Sequence, residues 1–197
     1  MKTNKEEHNS VFSSFNLEIN KNISFRRANM EEDFAKLHSW MNNKHVIPFW
    51  RLNMSKDLYK IHLDNALKDT HQTLYIGYLD NIPMSYWEAY YVKGDIIEKY
   101  YDYDEHDQGI HLLIGPEQYL GKGYALPLLK AMVTFQFQNK KTQKIIAEPD
   151  INNKKMIHVF ERCGFKAIKS IDLPDKTGLL MFCSRIEFEG ALVNGYV

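Results

Sequence analysis

Six residues, Gln118-Tyr119-Leu120-Gly121-Lys122-Gly123, separate a β-prone run from a helical one and dictate how the two join. Ahead of them Gly109-Ile110-His111-Leu112-Leu113-Ile114 is apolar and strand-like, and behind them Ala125, Leu128, Leu129, Met132 and Val133 recur at helical spacing. The stretch therefore opens a helix. The first amide N–H groups of a helix lack intrahelical acceptors and the peptide dipoles project positive charge there, so an anion is stabilised without a dedicated cation. Gly121 and Gly123 carry no Cβ to hold a pyrophosphate away and reach positive φ at little cost. Pro127 is tolerated in a first helical turn. The spacing fits neither Gly-x-x-x-x-Gly-Lys-Ser/Thr nor Gly-x-Gly-x-x-Gly, which argues against nucleoside triphosphate and nicotinamide readings. Taken alone, a Gly-x-Gly turn is also what an ordinary strand-to-helix connection uses.

Around this loop the pattern predicts one domain. Residues 1–15 are polar and aperiodic and are expected to form a mobile tail, with the domain at 16–190 and a second tail at 191–197. Strands are expected at 23–27, 73–79, 84–92 and 108–114, the middle pair turning at Asp80-Asn81. Asn29 with Glu32 predicts a capped helix through Phe34, Leu37 and Met41, and Ser55 caps a second through Leu58, Ile61 and Leu67. Beyond Gly123, helix, strand (144–147), helix (to Cys163) and strands (165–171, 178–186) follow. That order predicts an α/β (α+β) fold whose central mixed, mostly antiparallel sheet carries helices on both faces.

Composition narrows the partners. Lys plus Arg and Asp plus Glu both number 25, so no global charge favours nucleic acid or an anionic membrane. No apolar run approaches membrane-spanning length, and Met1 to Glu7 lacks the apolar core of a signal peptide, so a cytoplasmic location is expected. Two cysteines, Cys163 and Cys183, are too few for a disulfide scaffold or a multi-cysteine metal site, and no metal is expected.

Two motifs in register give the chain a resemblance. Gln118-x-x-Gly121-x-Gly123 resembles the Gln/Arg-x-x-Gly-x-Gly/Ala signature of the Gcn5-related N-acetyltransferases (GNAT), and Asn153-x-x-Met156-x-x-x-Phe160-x-x-x-Gly164-Phe165 is similar to a second family segment. The resemblance covers roughly residues 23–186. It implies acetyl-CoA, or another acyl-CoA, as co-substrate, with its pyrophosphate on Gln118, Gly121, Lys122, Gly123 and Tyr124. It also implies splayed strands around the acyl-CoA cleft, backbone groups of Leu113 and Ile114 facing the pantetheine, and Asn153 and Phe160 on the coenzyme side.

Acyl transfer to nitrogen needs a proton acceptor and donors for the developing oxyanion. His111 shares a strand face with Leu113, and an imidazole with a pKa near 6.5 accepts a proton at neutral pH, so it is the candidate base. Asp150, just past the 144–147 strand, is placed to orient that imidazole or to deprotonate the substrate itself. A hydrogen-bonded core histidine and a helix-capping aspartate are the plainer readings of the same residues. Phe160 departs from the tyrosine the family often uses to protonate the leaving thiolate, leaving solvent, Tyr124 or the histidinium for that step.

The acceptor is suggested by aromatic segments. Leu37-His38-Ser39-Trp40-Met41, His45-Val46-Ile47-Pro48-Phe49-Trp50, Tyr86-Trp87-Glu88-Ala89-Tyr90-Tyr91 and the acidic Tyr101-Asp102-Tyr103-Asp104-Glu105 resemble the siderophore-biosynthesis acyltransferases, the subfamily that acylates N-hydroxylysine in aerobactin assembly and lysine in mycobactin assembly. That resemblance implies acylation of a side-chain amine or hydroxylamine to a hydroxamate, with a histidine and an aspartate at the places of His111 and Asp150 as the catalytic pair. A small amine with a cationic end suits aromatic walls and a carboxylate, so Trp50, Trp87, Glu88, Tyr90 and His45 are candidate acceptor contacts. Strand alternation lets only one of the sets Tyr86/Glu88/Tyr90 and Trp87/Ala89/Tyr91 face the cleft, and the first is expected. An aminoglycoside acetyltransferase and a non-catalytic acyl-CoA-binding protein are the alternatives. Whether the chain forms a homodimer is left open.

Overall fold

The strands join in one eight-stranded sheet whose central members are buried in continuous runs, as a sheet covered on both faces requires. The structure, a computed structural model, describes residues 9–193, so residues 1–8 and 194–197 of the expected tails lie outside the described residues. The strands are β1 (Ser10–Asn16), β2 (Lys21–Arg27), β3 (Gln72–Leu79), β4 (Ile82–Tyr91), β5 (Gln108–Ile114), β6 (Lys144–Ala147), β7 (Lys166–Asp172) and β8 (Thr177–Ser184), and they lie in the sheet in the order β1-β2-β3-β4-β5-β6-β8-β7. The helices are α1 (Met30–Met41), α2 (Ile47–Trp50), α3 (Lys56–Lys68), α4 (Ala125–Gln136), α5 (Lys154–Arg162) and α6 (Arg185–Val193). Asp80 and Asn81 both adopt positive φ, the backbone a tight two-residue hairpin between β3 and β4 requires.

Helices cover both faces. Leu37, Trp40, Tyr59 and Leu63 of α1 and α3 pack with Ile76, Tyr86 and Leu113 on one side; Leu128, Met132, Ile157, Phe160 and Phe188 of α4, α5 and α6 pack with Phe25, Trp87 and Leu112 on the other. The Asn29 side chain caps α1 by accepting from the Glu32 amide at 2.8 Å. The carboxylate that reaches back to the Asn29 amide is Asp33, at 2.9 Å, rather than Glu32. Asp33 is fully buried and held by Arg26 of β2 at 2.8 and 3.0 Å, which fixes it where the cap needs an acceptor.

Three expectations about the elements are corrected. Residues 10–15 are not tail but most of β1, an edge strand whose Phe12 ring packs on Phe25 and Phe135. The short helix α2 was not expected, because four residues show no period. The last strand stops at Ser184 and residues 185–193 form α6, whose Phe188 closes the α4 face of the core.

Every neighbouring pair is antiparallel except β5–β6. β5 pairs with β4 along its whole length, from Gln108 to Ile114, but meets β6 only at Gln108 and Gly109. From Ile110 onward the two strands part, and the expected splay lies there.

Candidate active site

The glycine loop lies at the top of this gap. After β5 the chain makes a single turn of 3-10 helix, Glu117–Tyr119, and then passes through Gly121 and Gly123 at φ +71° and +77° before α4 begins. A Cβ added at either glycine would meet nothing within 4 Å, so the backbone conformation, not crowding, demands glycine, and the space beside the amides is open. The N-cap of α4, Tyr124, makes no side-chain hydrogen bond to the helix end. Gln118 and Lys122 are exposed beside the loop. The arrangement suits a phosphate at the start of α4.

Backbone pairing decides which strand residues face the gap. In an antiparallel ladder, main-chain groups of alternate residues point to the same neighbour. The Gly115 amide donates to Met84 and the Val92 amide to Asp107, so the odd-numbered residues of β5, Leu113 included, are turned toward β4. Leu112 and Ile114 are the ones turned toward the gap. This corrects the expectation for Leu113. The Ile114 carbonyl is already taken by Nε2 of His45 at 2.8 Å, which leaves Leu112, a residue not singled out from the sequence, as the freer edge.

His111 stands at the mouth of the gap, its imidazole 33% exposed. Its Nδ1 lies 2.9 Å from Glu88 Oε2 across the β4–β5 ladder, and its Nε2 is hydrogen-bonded to Glu148 Oε1 at the end of β6. Each carboxylate is itself held: Tyr86 donates to Glu88 at 2.9 Å and Tyr90 to Glu148 at 2.9 Å, with Lys176 Nζ 3.9 Å from Glu148. The Tyr90 ring lies against the imidazole at a centroid distance of 5.0 Å, a position open only because residue 109 is glycine, where a Cβ would come within 2.0 Å of that ring.

An ionised carboxylate only accepts hydrogen bonds, and a neutral imidazole carries one N–H. Satisfying both carboxylates therefore takes an imidazolium. The electrostatics agree: burial opposes charge on His111, but Glu148 and Glu88 outweigh it and hold its pKa well above the usual imidazole value. Burial likewise works against the carboxylates, yet His111 keeps both Glu148 and Glu88 below their ordinary range. The expectation of an imidazole that titrates near its ordinary value is thus corrected. The residue that sequence reasoning missed is Glu148, buried to 5% exposure; an acid directly after an apolar strand was the available signal.

A cavity of about 240 Å³ opens over this cluster. Phe49, Trp50, Leu52 and His62 form the wall from α2 and α3; Asn153, Met156 and Phe160 form the wall from α5; Glu88, His111, Glu148 and Asp150 line the rest with Asp175 and Lys176 of the β7–β8 hairpin. The Trp50 ring meets His111 edge-on at 6.3 Å. Asp150 lines the cavity without touching His111. Its carboxylate accepts from the Asn152 amide at 2.8 Å and stands 3.9 Å from Arg51, so the carboxylates that orient His111 are Glu88 and Glu148. The α5 cap is Asn153, accepting from the Met156 amide at 3.2 Å, and Phe160 packs edge-on against Phe165. Of the set chosen on β4, Glu88 reaches the cavity while Tyr86 and Tyr90 buttress the carboxylates from below. Trp87 is fully buried on the opposite face, bonded to Ser85, and is no acceptor wall. His45, on its Ile114 carbonyl, is outside the cavity lining, as is Tyr124, whose ring neighbours Tyr119.

Comparison with known proteins adds to this geometry. A family profile described as an acetyltransferase (GNAT) domain matches residues 29–173. The chain is similar to the N(6)-hydroxylysine O-acetyltransferase of Escherichia coli, 29% identical over 179 residues, which make up 90% of this chain and 57% of that protein. It therefore spans little more than half the length of that relative. It is also 29% identical over 163 residues to the N-hydroxyputrescine acetyltransferase of Acinetobacter baumannii, covering 81% of this chain and 76% of that one. Among solved structures, an uncharacterised protein from Bacillus halodurans superposes with a TM-score of 0.91 at 52% identity, over 94% of this chain and 95% of that one. The aminoglycoside acetyltransferase AAC(6')-Ib in complex with coenzyme A superposes with a TM-score of 0.79 at 26% identity, over 86% and 99%.

Proposed function

Because the chain belongs to the GNAT acetyltransferase family, we propose that it is an acyl-CoA-dependent N-acyltransferase that makes a hydroxamate. In this reading an acetyl or other short acyl group passes from coenzyme A to the side-chain hydroxylamine or amine of a lysine- or diamine-type siderophore precursor. The observation that carries the reading is His111, clamped by Glu88 and Glu148 where the sheet splays, at the base of a small aromatic-walled cavity. The relatives that act on N-hydroxylysine and N-hydroxyputrescine support the acceptor class.

The chain's residues divide the work. Amides at Gly121 to Tyr124 and the positive end of α4 receive the pyrophosphate. The gap-facing edge of β5 at Leu112 and Ile114 aligns the pantetheine so that the thioester carbonyl comes to rest near His111. One ring nitrogen of His111 releases its carboxylate and donates a proton to the departing thiolate while the other stays anchored. That supplies the acid that Phe160, lacking a hydroxyl, does not. Asp150, a cavity carboxylate not engaged with the imidazole, orients the acceptor nitrogen. Trp50 and Phe49 flank its aliphatic stem.

Four carboxylates on the lining, Glu88, Glu148, Asp150 and Asp175, and the likeness to AAC(6')-Ib favour an aminoglycoside as the second reading. Size opposes it, because about 240 Å³ falls below the roughly 300–1,000 Å³ of pockets that bury drug-sized ligands. Thiol release measured side by side decides: N-hydroxylysine or N-hydroxycadaverine is expected to react faster than kanamycin, and preference for kanamycin refutes the hydroxamate reading.

A further inference from the structure

His111 cannot both satisfy two carboxylates and accept a proton, so the nitrogen that attacks the thioester needs another base. Asp150 is available, but an imidazole is the stronger base, with a reference pKa of about 6.5 against about 3.9 for a carboxylate of this kind. The cavity holds a second imidazole. His62 projects from α3 into the wall beside Trp50 and Leu52, and neither of its ring nitrogens has a hydrogen-bond partner among the described residues. Its ring is held in place by stacking on the buried Tyr59, centroids 5.9 Å apart and planes at 29°. It shares the cavity lining with Glu88, the carboxylate that bonds His111 Nδ1.

We propose that His62 is the base that takes the proton from the attacking nitrogen, paired with His111 as the acid across the same cavity. The assignment rests on the acyltransferase reading above. The step balances: the N–C bond forms as the nitrogen's proton passes to His62, the C–S bond breaks, and the thiolate takes a proton from His111. His62 then gives its proton to solvent and His111 takes one up, restoring both.

The test uses His62→Ala and His62→Gln with acetyl-CoA and N-hydroxycadaverine, read as thiol release. Turnover is expected to fall by about two to four orders of magnitude with the KM for acetyl-CoA changed by less than about twofold. Free imidazole is expected to restore part of the His62→Ala rate, which lost packing alone would not allow. Near-normal turnover in either folded variant overturns the assignment, as does an Asp150→Asn enzyme whose loss imidazole rescues while His62→Ala is unaffected by it. A wild-type enzyme that releases no thiol with any N-hydroxylated amine overturns instead the acyltransferase reading on which the assignment rests.

Discussion

Replacing Glu148 by Gln is expected to loosen the histidine clamp in a way that both stability and titration report. The buried carboxylate holds His111, accepts from Tyr90 and attracts Lys176. Removing one partner of a buried ion pair costs about 3–5 kcal/mol. Here Gln retains an acceptor for Tyr90, and the imidazole is one-third exposed, so solvent softens the loss. About 2–3 kcal/mol is the expected cost, and for a chain of this size that lowers the melting midpoint by roughly 4–12 °C. The effect has a pH signature. The pKa of His111 is raised from 6.5 to about 10, so its contribution is complete below the unfolded value and is lost as pH climbs through about 10. Glu148 is lowered from 4.5 to about 2, so its contribution is complete above the unfolded value and is lost as pH falls through about 2. The gap between wild type and variant should therefore be widest between pH 4.5 and 6.5. Thermal melts across pH, with NMR titration of the His111 ring, measure both. In wild type the ring stays charged through neutrality, and in the variant it titrates closer to the usual histidine range. Equal melting midpoints together with an unmoved His111 titration would refute the clamp.

Other substitutions probe the remaining parts. Gly123→Glu places a carboxylate and a Cβ at a position with φ +77° beside the α4 amides, and calorimetry should show acetyl-CoA binding abolished in a folded variant. His111→Ala should lower turnover by about two to four orders of magnitude while acetyl-CoA affinity stays nearly intact, a separation that single-turnover kinetics and calorimetry resolve. Asn153→Ala removes the cap of α5 and should cost about 1 kcal/mol in urea unfolding.

The sequence announced its regular parts and hid its relational ones. β5 and β6 were legible to the residue, because short apolar runs bounded by turn-formers leave little choice, and the glycine loop was legible because its motif needs positive φ. β1 was not, since Ser13, Ser14 and Asn16 give no apolar alternation; its place comes from pairing with β2 and from Phe12 alone. In the site, strand alternation grouped Glu88 with Tyr86 and Tyr90 on one strand and His111 with Leu113 on another, and the β4–β5 register then sets Glu88 opposite His111. What no periodicity carries is reach between strands that merely converge. Glu148 finds His111 only because β6 ends beside β5, Asp150 turns aside to its own Asn152 amide, and His45 folds back onto Ile114. The charge of the imidazole is hidden for the same reason, being set by two acids far from it in the chain.

The brevity of the β5–β6 pairing has a mechanical consequence. Among the described residues two register pairs make up the sheet seam between the five-stranded block β1–β5 and the three-stranded block β6–β8–β7, so along that seam the sheet is basted rather than sewn. A molecule lying in the gap with amides of its own would act as extra thread, and its binding energy would count toward cohesion of the whole domain. At a ligand concentration a hundred times Kd that amounts to about 2.7 kcal/mol. Amides of β6 and of the open edge of β5 should then exchange with solvent faster than those of β3 and β4, and slow most when the gap is filled. The cleft is also the line along which the sheet has the fewest backbone pairs to lose.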